Sequence, residues 1–362
     1  MKKLFFSLLA VAAMASCSKS ELADRPDNTP VEIAVNGINV TAQSRAPFEG
    51  SIASDNTLLA KVLVSKTTKS YTTIWNTADD QMLFSDDNAT QVGFQTTPAY
   101  FPTDGSDVYL IGFYPSTGWN NVANGVSSNN FDYVIDGKSD VMYAKEQKTN
   151  KAEAQAGTYP TLEFNHQLTQ LVIKVQAENE AAAAATTAGG WGKITDISIV
   201  KANKKVIQPV LRVNATNGSV TFRSEENSDG EELELASLPC YIVDEDGTFT
   251  DNVFTSIEMT YPTDANAATF EAPAVAYSLV RPVTTANVVK DHYTLLVKTE
   301  SEPNGREILV TLNTSDATPV AFESPTTGYA FNITLTFKAT DIEAKATVTA
   351  WKQGGNTSVD IE

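Results

Sequence analysis

The chain has 362 residues, 42% of them hydrophobic, and a formal net charge of −18. That length suffices for two ordinary domains or one large all-β domain. No long run of like charge produces the negative balance, so it reads as a solvated acidic surface. Nucleic-acid binding, which needs clustered Lys and Arg, is disfavoured, and an anionic membrane surface would repel the chain, so any membrane attachment must come from lipid.

The N-terminus reads MKKLFFSLLAVAAMASC. Lys2 and Lys3 form a basic start, and Leu4 to Met14 form an apolar stretch too short to span a bilayer permanently. Cys17 follows small residues. MASC resembles a bacterial lipobox, with Met14 where Leu is more usual; this implies cleavage after residue 16 and lipid on the Cys17 sulfur. The alternative is an ordinary signal peptide with an incidental cysteine. Cys240 is the one other cysteine, so the exported fold has no intramolecular disulfide. Its setting, LPCYIV, reads as buried strand.

In VEIAVNGINVT (31–41), Val31, Ile33 and Val35 share one face of a half-buried strand. Ile38 and Val40 continue one residue out of phase, and a bulge at Gly37 would restore the face. TAQSRAPFEG (41–50) follows; its Arg45 is the only Lys or Arg between Arg25 and Lys61. Short β-branched or aromatic runs then predict strands at 58–66, 108–114, 168–176, 194–200, 292–298 and 306–312. Pairs such as Asp136-Gly137, Asn217-Gly218 and Asp246-Gly247 punctuate them and suit hairpin turns. Many short strands separated in this way predict β-sandwiches. NEAAAAATTAGGWG (179–192) reads as a linker or surface excursion between two sandwiches, or as an exposed loop within one domain: its Ala run is short and lacks an apolar stripe.

Near the C-terminus, Phe331, Ile333, Leu335 and Phe337 alternate with polar residues. After a phase slip, Ile342, Ala344, Ala346, Val348 and Ala350 alternate again, followed by Val359 and Ile361. Small apolar side chains on one face suit insertion into a narrow groove. The other reading is the last core strand of the second sandwich.

Little else points to chemistry. His166 and His292 are the only histidines, which excludes a metal site with several His ligands. His166 reads as packing or hydrogen bonding, His292 as a strand-edge residue. There is no Gly-x-Ser-x-Gly elbow, and no carboxylate pair stands out. VDEDGTFTDN (243–252) lacks the spacing of a Ca²⁺ loop and reads as an acidic hairpin turn. Tyr109, Phe113, Tyr114 and Trp119 read as core and rim rather than a sugar platform. No cofactor and no enzymatic activity are expected.

Six stretches together carry a resemblance: MASC, SRAPF, VYLIGFYPSTGW (108–119), SDVMYAKEQ (139–147), LEFNHQLTQLVIKVQ (162–176) and GYAFNITLTF…TVTAWKQGG (328–355). In this order and spacing the chain resembles the fimbrillin family of Bacteroidales, the subunits of protease-assembled type V pili. The likeness runs from the signal peptide to the last strand. It implies an all-β fold of two transthyretin-like β-sandwich domains in tandem. The expected organisation is a lipoprotein signal peptide (1–16), a propeptide with a removable strand (17–45), sandwiches at 46–182 and 191–340, and a donor-strand segment (341–362).

The resemblance also implies a maturation path. The precursor is lipidated, reaches the outer membrane, and is cut by an Arg-specific surface protease between Arg45 and Ala46. Loss of the strand carrying Val31, Ile33, Val35, Ile38 and Val40 would leave unpaired backbone groups beside an apolar groove. The segment with Ile342, Ala344, Ala346, Val348, Ala350, Val359 and Ile361 would fill that groove on another subunit by β-augmentation. Such a head-to-tail contact propagates as a filament. The implied partners are copies of the chain itself and anchor and tip subunits; the expected location is a fimbrium on the cell surface. Arg45 together with a donor segment favours a stalk subunit. A tip or accessory subunit, and a non-polymerising lipoprotein adhesin that binds glycan or host protein, are the alternatives.

Overall fold

The structure, a computed structural model, describes residues 29–36, 57–72, 81–85, 91–121, 129–185, 189–202, 205–206, 210–223, 225–226, 232–233, 237–283, 292–312, 327–339 and 341–349. In chain order the strands are β1 (Thr57–Ser65), β2 (Gln81–Ser85), β3 (Val108–Tyr114), β4 (Trp119–Asn121), β5 (Asn130–Val134), β6 (Met142–Thr149), β7 (Phe164–His166) and β8 (Thr169–Ala177). They continue with β9 (Ile194–Ala202), β10 (Lys205–Val206), β11 (Val210–Asn214), β12 (Ser219–Arg223), β13 (Glu225–Glu226), β14 (Glu232–Leu233), β15 (Leu238–Pro239), β16 (Tyr241–Val243) and β17 (Phe249–Val253). The last are β18 (Ala274–Val280), β19 (Tyr293–Thr299), β20 (Arg306–Val310), β21 (Ala330–Phe337) and β22 (Ile342–Thr349). Two short helices, α1 (Lys151–Gln155) and α2 (Glu180–Ala183), complete the described elements. None of the described helices is long and apolar enough to cross a membrane.

The fold is all-β, and the strands form four main sheets. Sheet A runs β2-β1-β3-β6-β7, and sheet B runs β12-β11-β5-β4. Sheet C runs β17-β16-β18-β8-β21-β22, and sheet D runs β10-β9-β19-β20 with β15 also paired to β9. The six strands expected from sequence all form. β1 reads as a nearly continuous apolar run because both faces of sheet A are covered: Val62 and Val64 enter one core with Leu110 and Phe164, while Leu63 enters the other with Ile111 and Phe113. Gly218 and Gly247 close the β11–β12 and β16–β17 hairpins with φ of +68° and +87°, backbone that favours glycine. The second hairpin confirms the turn read in 243–252.

Hydrogen bonding crosses the expected 182–191 boundary in both directions. β8, within the expected first sandwich, pairs with β18 and, in parallel, with β21. β11, beyond the boundary, pairs with β5. An ion cluster stitches that second junction: Arg212 binds Asp132 through Nε and a terminal nitrogen at 2.7 and 2.8 Å, and Arg223 reaches the same carboxylate at 2.7 Å. Burial alone would raise the Asp132 pKa, but the two guanidiniums override it and hold the carboxyl below its ordinary value.

The described parts of the Ala-rich segment pack against the fold. Asn179 caps α2 by accepting from the Ala182 N–H, and Ala182 and Trp191 are buried. The Trp191 indole donates to the Lys338 carbonyl at 2.6 Å and packs edge-on against Phe337. Phe113 is fully buried and stacks with Trp119, Phe131 and Tyr143, as core reading required. Cys240 is fully buried, and burial pushes its thiol far up, so it is inert. His166 is buried against Asp140 at 2.8 Å. His292 departs from expectation: it is 1% exposed, and its Nδ1 accepts the Leu312 N–H. It directly precedes β19, which is flanked by β9 and β20, so the position is interior rather than at an edge.

Candidate functional site

The segment 29–36 lies along sheet A's outer core without joining its ladder. Glu32 bridges Tyr100 and Val35 bridges Val92, both antiparallel. Five main-chain bonds hold it. Ile33 donates to Ala99 at 2.7 Å, Val35 exchanges bonds with Val92 at 3.0 and 2.8 Å, Phe101 donates to Val31 at 2.9 Å, and Asn36 donates to Pro160 at 2.8 Å. All these partners are loop residues outside the named strands.

The side chains do more than the backbone. Ile33 and Val35 are 0% exposed and belong to the core built from Leu58, Met82, Phe84, Phe101 and Leu110. Val31 packs at its margin, and Ala34 is buried as well, so the segment is covered on both sides. Full burial of one Ile and one Val is worth about 3–6 kcal/mol together. Residues 29–36 therefore fill an apolar groove in the manner of a plug. Without them the Ala99, Val92 and Pro160 carbonyls and the Val92 and Phe101 N–H groups lose their partners.

At the other end, β22 is the edge strand of sheet C and pairs with β21 over eight consecutive residues. The register explains its composition. Ile342, Ala344, Ala346 and Val348 stand opposite Phe337, Leu335, Ile333 and Phe331, and all four β21 side chains are 0% exposed. The bulky row fills the core, so small residues suffice on the edge. Ile342 and Ala346 are buried, while Ala344 is half-buried.

The turn between the two strands is clamped. Lys338 donates its main-chain N–H to the Asp341 carbonyl at 2.8 Å. Arg306 sits 4.7 Å from the Trp191 ring, holds Glu302, and lies 3.6 Å from the Asp341 carboxylate. Sequence reading did not single out Trp191 or Arg306 as partners of this turn, since they converge on it from distant parts of the chain.

Of the expected site residues, Val31, Ile33 and Val35 come together in the plug, and Ile342, Ala344, Ala346 and Val348 in β22. Cys17, Gly37, Ile38, Val40, Arg45, Ala46, Ala350, Val359 and Ile361 lie outside the described residues. Among the described residues no group of His, Cys, Asp and Glu is arranged to hold a metal ion.

A family model described as fimbrillin-like matches residues 44–351. No curated protein matches. Among solved structures, the chain is similar to a candidate cell adhesion protein from Bacteroides uniformis, with 16% identity, 91% of this chain and 100% of that one covered, and a TM-score of 0.47. It is also similar to a fimbrial protein from Bacteroides vulgatus, with 13% identity, 81% and 93% coverage and a TM-score of 0.46. A candidate cell adhesion protein from Bacteroides ovatus shows 15% identity, 91% and 99% coverage and a TM-score of 0.47. By the match over residues 44–351 the chain belongs to the fimbrillin-like family, and its role is a structural, fimbrial one at the cell surface rather than a catalytic one.

Proposed function

We propose that the protein is a stalk subunit of a protease-assembled fimbria. In this reading Cys17 carries the lipid that anchors the precursor to the outer membrane. An Arg-specific surface protease then cuts between Arg45 and Ala46, and the subunit polymerises head-to-tail by strand exchange, with other fimbrial subunits at the two ends of the filament.

The observation that carries the proposal is the plug. A short segment upstream of Arg45 buries Ile33 and Val35 completely yet, among the described residues, makes isolated bridges rather than a strand of a sheet. While it remains covalently attached, its effective local concentration keeps it seated. Once cut, its apolar burial and five bonds must offset an association cost of about 4–15 kcal/mol, so it becomes exchangeable. A donor segment from a neighbouring subunit then competes for the groove. Support for the donor comes from β22, which among the described residues is an edge strand paired with β21 alone, and whose narrow side chains suit entry into a groove.

Limited cleavage by a trypsin-like protease tests this. Cleavage should yield a mature chain beginning at Ala46 and SDS-resistant ladders on a gel. Arg45→Ala should remain monomeric under the same treatment. Deletion of 342–362 should allow cleavage but prevent ladders. A surface form whose N-terminus is a lipid-blocked Cys17, or ladders formed equally by both variants, would contradict the proposal.

A further inference from the structure

Beyond Tyr143, a face of sheet A borders a cleft of about 810 Å³. Its opposite walls are Gly218 and Val220 of the β11–β12 hairpin and the Thr327–Tyr329 approach to β21. Sheets A and B and the approach to sheet C therefore contribute to it, and its lining includes none of the plug's partners Val92, Ala99, Phe101 and Pro160. Its volume falls in the range of about 300–1,000 Å³ usual for small-ligand sites.

The chemistry of the lining is selective. Gln147, Asn165 and Gln167 contribute primary amides, each able to donate and accept hydrogen bonds at once. Lys145 and Glu163 add one positive and one negative charge, so the cleft has no net charge. The side chains of Lys145, Gln147 and Glu163 make no hydrogen bond or ion pair among the described residues. Gln167 is 8% exposed and is fixed by donating to the Asn165 carbonyl at 2.6 Å. The strands hold these groups in place, with Tyr143 opposite Asn165 in the β6–β7 register. Burial raises the Tyr143 pKa to about 12, so its hydroxyl stays protonated. The half-buried Tyr329 ring, 6.3 Å from Phe331, gives the wall an aromatic surface.

A wholly apolar ligand would leave the amides and charges of the lining without partners. A phosphorylated or sulfated one would need clustered Arg or Lys, and the lining holds a single Lys. A neutral molecule rich in hydroxyl groups matches, because each hydroxyl also donates and accepts, and its C–H faces pack on an aromatic ring. We propose that this cleft binds a neutral oligosaccharide, giving the subunit a lateral adhesive site separate from its assembly contacts.

An array of immobilised neutral, sialylated and sulfated oligosaccharides, probed with the full chain, tests the proposal. Neutral glycans should be retained, and Asn165→Ala and Gln147→Ala should each weaken retention about tenfold or more. Both side chains line the cleft from the protein surface, so thermal unfolding of these variants should match the parent. No retention of neutral glycans, retention unchanged in both variants, or a preference for acidic glycans abolished by Lys145→Ala would each overturn it.

Discussion

Residues 29–36 and β22 lie toward opposite ends of the sequence, and they are held by different forces. Ile33 and Val35 are fully buried, and among the described residues their segment makes five main-chain bonds to loops. β22 has an uninterrupted eight-residue ladder with β21, but its residue 344 is only half-buried. One segment is seated by apolar contact and the other by backbone pairing. The β22 ladder is lost if the strand leaves β21, whereas loss of residues 29–36 exposes apolar side chains of the groove. Under the proposed function, the first segment leaves a groove that the second would enter.

Mutations can break or sharpen this contrast. The largest effect is expected from Ile33→Ala in the uncut precursor. A fully buried Ile truncated to Ala costs about 2–5 kcal/mol, so the melting temperature of the precursor should fall by several degrees, while the form cleaved at Arg45 should melt like the parent. Equal melting of the variant and parent precursors would show that the plug is not seated by its side chains.

Ala346→Leu probes the other mode. Ala346 is 3% exposed and faces Ile333, and overpacking there costs about 1–3 kcal/mol. Hydrogen exchange along β22 should speed up while β8 keeps its protection. Unchanged exchange would mean that the home position of β22 has room to spare and is not narrowly fitted.

The smallest effect is expected at the clamp. Arg306→Ala removes the cation over Trp191 and the contact with Asp341, worth about 0.5–1 kcal/mol. Exchange at Ile342 and Glu343 should quicken about twofold to fivefold, with little change at Leu335. A larger loss spread over the whole of β22 would show that the turn, and not the ladder, fixes the strand.

Much of this was legible in the sequence, for physical reasons that also mark the limits. Strands such as β1, β3 and β9 declare themselves through local β-branched and aromatic content. Ile33 and Val35 were visible as an alternating face. Partner choice was not legible: LTQLVIKVQ announces a strand but not that it pairs with β18 and β21, since pairing over long sequence separation leaves no local pattern. The packing of the Ala-rich segment was not legible because a four-residue helix is too short to show a stripe, and the residue that anchors it, Trp191, follows a Gly-Gly break. His292 looked like an edge residue because nothing local shows that the strand after it is flanked on both sides. The cleft of Gln147 and Asn165 had no signal at all; polar residues on alternate positions read as ordinary surface until the β11–β12 hairpin is placed across from them.

The claim that the plug's groove receives a strand from another subunit is tested most directly by disulfide trapping. Ala99→Cys places a thiol beside the groove in one chain. A second chain carries a cysteine at Ala344, Ala346 or Val348 in turn, with the native Cys240 buried and inert. Bridging requires the two Cα atoms within about 7 Å. After cleavage at Arg45, at least one of the three positions should give a disulfide-linked heterodimer on a non-reducing gel, and uncut precursor should give none. Absence of any link after cleavage, or equal linking before it, would contradict the account.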